Sequence, residues 1–152
     1  QLLDEVIAES LRHISRKHDE YTIVTKCEEL ILVRMDVQLI IQVLVNLIDN
    51  AIKYTPKGSK ICIRGMKCNG KAQICVEDNG PGIADEMKPY IFEMFYTGKS
   101  TIADSQRSLG LGLSLCQSII EAHDGRLLLT DNTPRGCIFT FTLPLSEVTL
   151  NE

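Results

Sequence analysis

Apolar positions along the chain follow two periods. Leu3, Val6, Ile7, Leu11 and Ile14, with Ser10 on the same face, repeat at three and four and predict a helix over 2–17. Alternation over Tyr21–Lys26 and Ile31–Met35 predicts short strands flanking the turn-like Cys27-Glu28-Glu29. Asp36 is a good N-cap for a second helix running to about Tyr54, with Leu39, Ile40, Val43, Leu44, Leu47, Ile48 and Ala51 facing inward. Thr55-Pro56-Lys57-Gly58 stops it. Strands over Ile61–Met66 and Ala72–Glu77 are joined by Asn69-Gly70, a strong hairpin signal.

After a glycine turn at 78–84, Asp85 caps a short helix reaching Phe92. Residues 96–108 are polar and irregular, as a mobile loop would be. The helical period returns near Gly110 and lasts to His123, where Asp124-Gly125 ends it. Two final strands, 126–131 and 136–143, enclose a turn through Asn132, Pro134 and Gly136, and Pro144 closes the series. Paired strands with helices between them favour an α+β fold, a two-layer α/β sandwich, over a doubly wound sheet. Its mixed, mostly antiparallel sheet is covered on one face by helices.

Composition narrows the class. At 152 residues the chain is expected to form one domain, 1–152, with a sizeable core, and its hydrophobic share of 44% and charged share of 24% are ordinary for a globular protein. A net charge of −4 gives no basic field for nucleic acid. No apolar run approaches the roughly 18 residues of a membrane span. The opening Gln1-Leu-Leu-Asp-Glu has no leader character and no Met, as expected of a piece of a longer protein. Cys27, Cys62, Cys68, Cys75, Cys116 and Cys137 form no Cys-x-x-Cys pair and have no His at metal-ligand spacing. They read as small hydrophobes in a reducing compartment.

Three clusters carry candidate chemistry. Asn46, Asn50 and Lys53 fall on one helix face, where carboxamide oxygens can ligate Mg²⁺ and amide and ammonium groups can meet phosphate. A solvated polar face is the plain alternative. Asp78-Asn79-Gly80-Pro81-Gly82 follows a strand. Its glycines let backbone approach a flat ligand, and a buried carboxylate there could accept from an amino group such as adenine N6. An ordinary capping Asp would look the same. Gly110-Leu111-Gly112 opens a helix, whose exposed N–H groups and dipole favour anions. Each is weak alone. All three in this order on these elements point to ATP.

These residues resemble the catalytic, ATP-binding domain of sensor histidine kinases, within the Bergerat fold shared with gyrase, heat-shock chaperone and MutL ATPases. The resemblance covers about residues 2 to 145. Gln42–Pro56 matches the family's N box, Asp78–Gly82 its G1 box, Phe92-Glu-Met-Phe95 its F box and Gly110–Leu113 its G2 box. His123-Asp-Gly125, Gly136-Cys-Ile-Phe139 and Leu143-Pro144 match its closing strands. Within the family the spacing is similar to the potassium-responsive sensor kinases.

The resemblance implies Asn46, Asn50 and Lys53 as catalytic residues, with Asn46 on Mg²⁺ and the other two on phosphates. Tyr54 would pack on adenine or ribose, Asp78 would bind adenine N6, and Gly80, Gly82 and Ile83 would shape the pocket. Residues 96–109 would be a lid hinged near Phe95 and Gly110, with Phe92 and Phe95 anchoring it. Lys99, Ser108, Leu109, Gly110, Leu111, Gly112 and Leu113 would complete the nucleotide contacts. Two positions depart from the pattern. Thr97 stands where the family often has Arg, leaving Lys99 or Arg107 to supply charge, and Ser108 stands where the G2 box usually opens with glycine.

The resemblance further implies transfer of the γ-phosphoryl of Mg–ATP to a histidine on a separate dimerisation domain, then on to a response regulator. The acceptor, a His followed in the family by an acidic residue and shortly after often by Thr or Asn and then Pro, is expected before residue 1. His13 and His123 lack the motif, and in His18-Asp-Glu-Tyr-Thr22 Ile23 replaces the usual Pro. The chain would be monomeric, the intact kinase homodimeric, and the domain cytoplasmic in a membrane-anchored bacterial sensor. A regulatory nucleotide-binding module with little transfer is the alternative. An ATPase clamp is disfavoured, because Asn46 stands where clamps carry a Glu base.

Overall fold

The computed structural model describes residues 2–14, 21–27, 31–56, 58–90 and 107–145, the side chains of residues 53, 54, 87, 89, 90 and 107–112 excepted. Helix α1 (Leu3–Arg12) precedes strand β1 (Thr22–Cys27), helix α2 (Val37–Tyr54), strands β2 (Lys60–Cys68) and β3 (Lys71–Asp78), helix α3 (Arg107–Ala122) and strands β4 (Leu127–Asp131) and β5 (Cys137–Pro144). The strands form one sheet in the order β1-β2-β3-β5-β4. β1 runs parallel to β2, and the other pairings are antiparallel. α2 packs on both α1 and α3.

The sheet is apolar where it meets the helices. Ala72, Ile74 and Val76 of β3 and Phe139, Phe141 and Leu143 of β5 alternate inward and are buried, as the two-residue period requires. They meet Leu3 and Val6 of α1, Ile40, Leu44, Leu47 and Ile48 of α2, and Ile119 and Ile120 of α3 in one core. Asp78 is the next inward position of β3 after Val76, and Cys137 is the next of β5 before Phe139. A carboxylate therefore sits at the end of an otherwise apolar row. Asn69 and Gly70 have φ of 54° and 79°, a type I′ turn that carries the hairpin ladder out to Cys68↔Lys71.

Several boundaries differ from the predicted ones. Residues 31–35 form no sheet strand and do not pair with β1. Ile31 and Val33 are buried, while Leu32 bridges Leu2 and Val33 bridges Leu145, so the segment fastens the start of α1 and the end of β5. α1 stops at Arg12 in tightened turns, His13 N–H to Ser10 O and Ile14 N–H to Leu11 O, although Ile14 stays buried. Leu39 faces solvent, because the first turn of α2 turns Val37 and Ile40 to the core and leaves Leu39 on the outer side beside the Asp36 cap. The expected helix from Asp85 to Phe92 is a 3₁₀ segment, Asp85–Tyr90, and residues 91 and 92 lie outside the described residues. α3 starts at Arg107 rather than near Gly110. Arg and Leu are good helix formers, and a glycine costs only about 1 kcal/mol against Ala, which lowers stability without ending a packed helix.

Candidate nucleotide site

α2 carries the polar positions because both its ends are held. Asp36 Oδ1 accepts the Leu39 N–H at 3.2 Å as N-cap. At the other end the Tyr21 hydroxyl lies 2.9 Å from Ile52 O and 3.0 Å from Thr55 O, donating to the last-turn carbonyls. Thr55 Oγ1 donates back to Ala51 O at 2.7 Å. On this helix Asn50 is 6% exposed, and its Oδ1 is buried with no hydrogen-bond partner among the described residues. An orphaned buried carbonyl oxygen is costly unless something else meets it. A hard oxygen of this kind suits Mg²⁺, so the donor set fits the metal the resemblance implies.

Asn46 is differently engaged. Its Nδ2 lies 3.8 Å from Cys116 Sγ on α3, and that thiol lies 3.9 Å from Val43 O. Burial pushes the Cys116 thiol up to about 12, so it remains neutral. Towards the other end of α3, His123 Nε2 accepts the Asp36 N–H at 3.0 Å, while its Nδ1 lies 2.8 Å from Ile119 O and must be the protonated nitrogen. These two ties, Asn46 to Cys116 and Asp36 to His123, run α2 and α3 antiparallel.

Asp78 is 8% exposed. Its Oδ1 accepts Gly80 N–H at 2.9 Å and Cys137 N–H at 3.3 Å, and its Oδ2 makes no hydrogen bond among the described residues. Burial holds its carboxyl above the usual range against the opposing pull of those two amides. Gly80 is required by its neighbour: a Cβ there would stand 2.3 Å from Thr55 Cγ2 and 3.3 Å from Asp78 Oδ1. The end of α2 and the 78–82 turn thus meet through Thr55. Gly82 has φ +83°, left-handed backbone.

Of the residues singled out from sequence, Asp78 and Gly80 meet directly, Asn46 joins α2 to α3, and Asn50 is buried on α2 with its Oδ1 unpartnered among the described residues. Ile83 is partly buried on the core and Leu113 is buried in it. Gly110 and Gly112 lie in the first turns of α3, as does Ser108. The side chains of Lys53, Tyr54, Ser108, Leu109 and Leu111, together with the whole of Phe92, Phe95, Thr97, Lys99 and His18, lie outside the described residues. Tyr21, Thr55, Asn132 and Cys137 were not singled out. Tyr21 reads as an ordinary strand residue, Thr55 as a helix stop, Asn132 as a turn former and Cys137 as a small hydrophobe. Only their three-dimensional neighbours distinguish them.

A buried asparagine near the end of a helix, an open buried carboxylate at a strand end and a glycine-bearing helix start lie within one α+β domain. The family model for "Histidine kinase-, DNA gyrase B-, and HSP90-like ATPase" matches residues 35–147, and the chain belongs to that family. Its relatives are sensor kinases. Sensor protein KdpD of Clostridium acetobutylicum is 40% identical over 145 residues, 95% of this chain and 16% of that protein. The nucleotide-free catalytic domain of histidine kinase ThkA superposes with a TM-score of 0.80 at 31% identity, covering 95% of this chain and 94% of that one. ThkA in complex with response regulator protein TrrA superposes at 0.79 and 31% identity, covering 96% of this chain and 41% of that one. The chain thus spans about a sixth of the KdpD relative's length. No described helix is long and apolar enough to cross a membrane.

Proposed function

We propose that this domain binds Mg–ATP and presents its γ-phosphoryl to a histidine on the dimerisation domain of the same sensor kinase. The observation that carries the reading is Asp78: a buried carboxylate with one oxygen engaged by two backbone amides and the other open. The open oxygen suits an exocyclic amino group, so adenine N6 would donate to Oδ2. The orphaned Asn50 Oδ1 supports a magnesium role for Asn50 beside the Asn46 expected from the resemblance. Bound magnesium would offset charge on the β- and γ-phosphates. Lys53 would add a cation, and the amides opening α3 would meet phosphate oxygens.

Transfer would then rest on positioning. The acceptor imidazole nitrogen attacks Pγ, the bond from Pγ to the β–γ bridging oxygen breaks, ADP leaves, and the imidazole proton passes to the acidic residue that follows the acceptor. His123 is a poor acceptor because both its nitrogens are already hydrogen-bonded. The ThkA–TrrA complex supports a response regulator as the next recipient. Cytoplasmic placement and dimerisation of the intact kinase belong to the same reading. Thr97 and Ser108 favour the second reading, a nucleotide-binding module with little transfer.

Isothermal titration with a non-hydrolysable ATP analogue, with and without Mg²⁺, tests the site. Binding should be saturable and should weaken in Asn50→Asp and Asp78→Asn. No binding to the folded wild-type chain would sink the proposal. Labelling of an added acceptor domain from γ-labelled ATP separates transfer from binding alone.

A further inference from the structure

The ladder between β3 and β5 is regular from Lys71↔Pro144 to Glu77↔Ile138 and then stops one residue short of Asp78. The Asp78 carbonyl is instead served by a side chain, Asn132 Nδ2, at 2.8 Å. Asn132 is itself fixed. Its Oδ1 accepts the Thr133 N–H at 2.8 Å, which settles which end of the amide points at Asp78, and its own N–H donates to Gly136 O at 2.9 Å.

The rest of the β4–β5 turn closes on the same loop. Cys137 N–H donates to Asp78 Oδ1, and Arg135 Nε donates to Asn79 O at 3.2 Å. Gly136, at φ +113°, lies so close that a Cβ would stand 2.0 Å from Asp78 O. Asp131 accepts from Lys88 Nζ at 3.0 Å, and Lys88 also donates to Ile83 O at 3.2 Å. The backbone of Asp78 is therefore gripped by Asn132 while its carboxylate is gripped by the Cys137 amide.

We propose that the β4–β5 turn is a purine-selecting clasp, with Asn132 the positioning residue that fixes the Asp78 backbone so that Oδ2 faces the 6-position of the base. The inference rests on the ATP-binding reading and adds the residue that sets adenine over 6-oxopurine selectivity. A fixed acceptor rewards the 6-amino group of adenine and opposes the 6-carbonyl of hypoxanthine, where two acceptors would face each other without a proton. A carboxylate free to swing loses both the reward and the opposition.

The test is competition of ADP and IDP against a fluorescent ATP analogue on the 152-residue chain, in wild type, Asn132→Ala and Asn132→Asp. Asn132→Asp keeps the acceptor for the Thr133 amide, and with it the local turn, but removes the donor to Asp78, so it remains informative if Asn132→Ala fails to fold. ADP affinity should fall about tenfold in each folded variant, the scale of misplacing one hydrogen bond to a charged group. IDP affinity should stay within about twofold, so the ADP-over-IDP ratio collapses. Equal losses for both nucleotides would mark Asn132 as merely structural and overturn the clasp, as would an unchanged ratio. Failure of the wild-type chain to bind any nucleotide would instead overturn the ATP reading beneath it.

Discussion

Asp78 combines a cost with a use. Burial raises its pKa above the ordinary 3.8, so the folded state holds the proton more tightly than the unfolded chain. Its contribution to stability is fully present below the unfolded value and is lost as pH rises through the higher folded value. At neutral pH the charge is therefore a net burden on the nucleotide-free fold. Asp78→Asn should raise the melting temperature at pH 7 in the absence of nucleotide, because the amide oxygen can still accept from Gly80 and Cys137. The same change should weaken ADP binding about 10- to 100-fold, since the acceptor for N6 is replaced by a donor. Lowering the pH of wild type through the raised pKa should weaken ADP in the same way, while Asp78→Asn shows no such titration. Calorimetry across pH checks both. A variant that melts lower than wild type and still binds would contradict this account of the carboxylate.

Elements matter here through their ends. The contact between Gly80 and Thr55 is tight enough to read as a lock: a methyl group at 80 must displace Thr55 Cγ2 from 2.3 Å. Gly80→Ala should lower both nucleotide affinity and the unfolding midpoint. Thr55→Ser, which deletes Cγ2 but keeps the hydroxyl for Ala51 O, should recover part of each loss in the double variant, a positive coupling that two independent sites would not give. Removing the Tyr21 hydroxyl strips a donor from the last carbonyls of α2, so Tyr21→Phe should cost about 1 kcal/mol in urea unfolding. His123→Phe should cost a similar amount, about 1 kcal/mol, by leaving the Asp36 and Ile119 groups to find new partners.

At this scale the sequence was legible where local rules act alone. The Asp36 cap, the Asn69-Gly70 turn and the inward rows of β3 and β5 follow from period and turn chemistry. Less legible were places where distant segments decide. Residues 31–35 alternate like a strand, yet their pairing partners are Leu2 and Leu145, which no local pattern reveals. Asn132 looks like any turn asparagine until the stopped ladder at Asp78 brings it into play. Leu39 fits the helical stripe, but it lies on the solvent side of the first turn of α2, whose Ile40 and Val37 make the core contacts.

For the molecule as a whole, the sheet and the antiparallel pair α2 and α3 bring polar groups from distant parts of the sequence to one end of the core. Asn50 and Asp78 are each costly in the empty fold, one as an unpartnered carbonyl and the other as a buried charge. A ligand that satisfies both should return that cost as stability. At a free concentration of 100 times Kd, a single-site ligand that ignores the unfolded chain stabilises by about 2.7 kcal/mol. For a chain of 152 residues that raises the melting temperature by about 8 °C. Mg–ADP at that excess should give such a rise, and chelating magnesium should remove part of it by freeing the Asn50 oxygen again. In Asn50→Ala the orphan is gone before ligand arrives. Its nucleotide-free melting temperature should therefore fall less than a buried truncation ordinarily would, and the part of the Mg–ADP shift that depends on magnesium should shrink. Differential scanning fluorimetry with and without chelator reads both, and an Asn50→Ala shift as sensitive to magnesium as that of wild type would remove Asn50 from the metal site and leave Asn46 as its asparagine ligand.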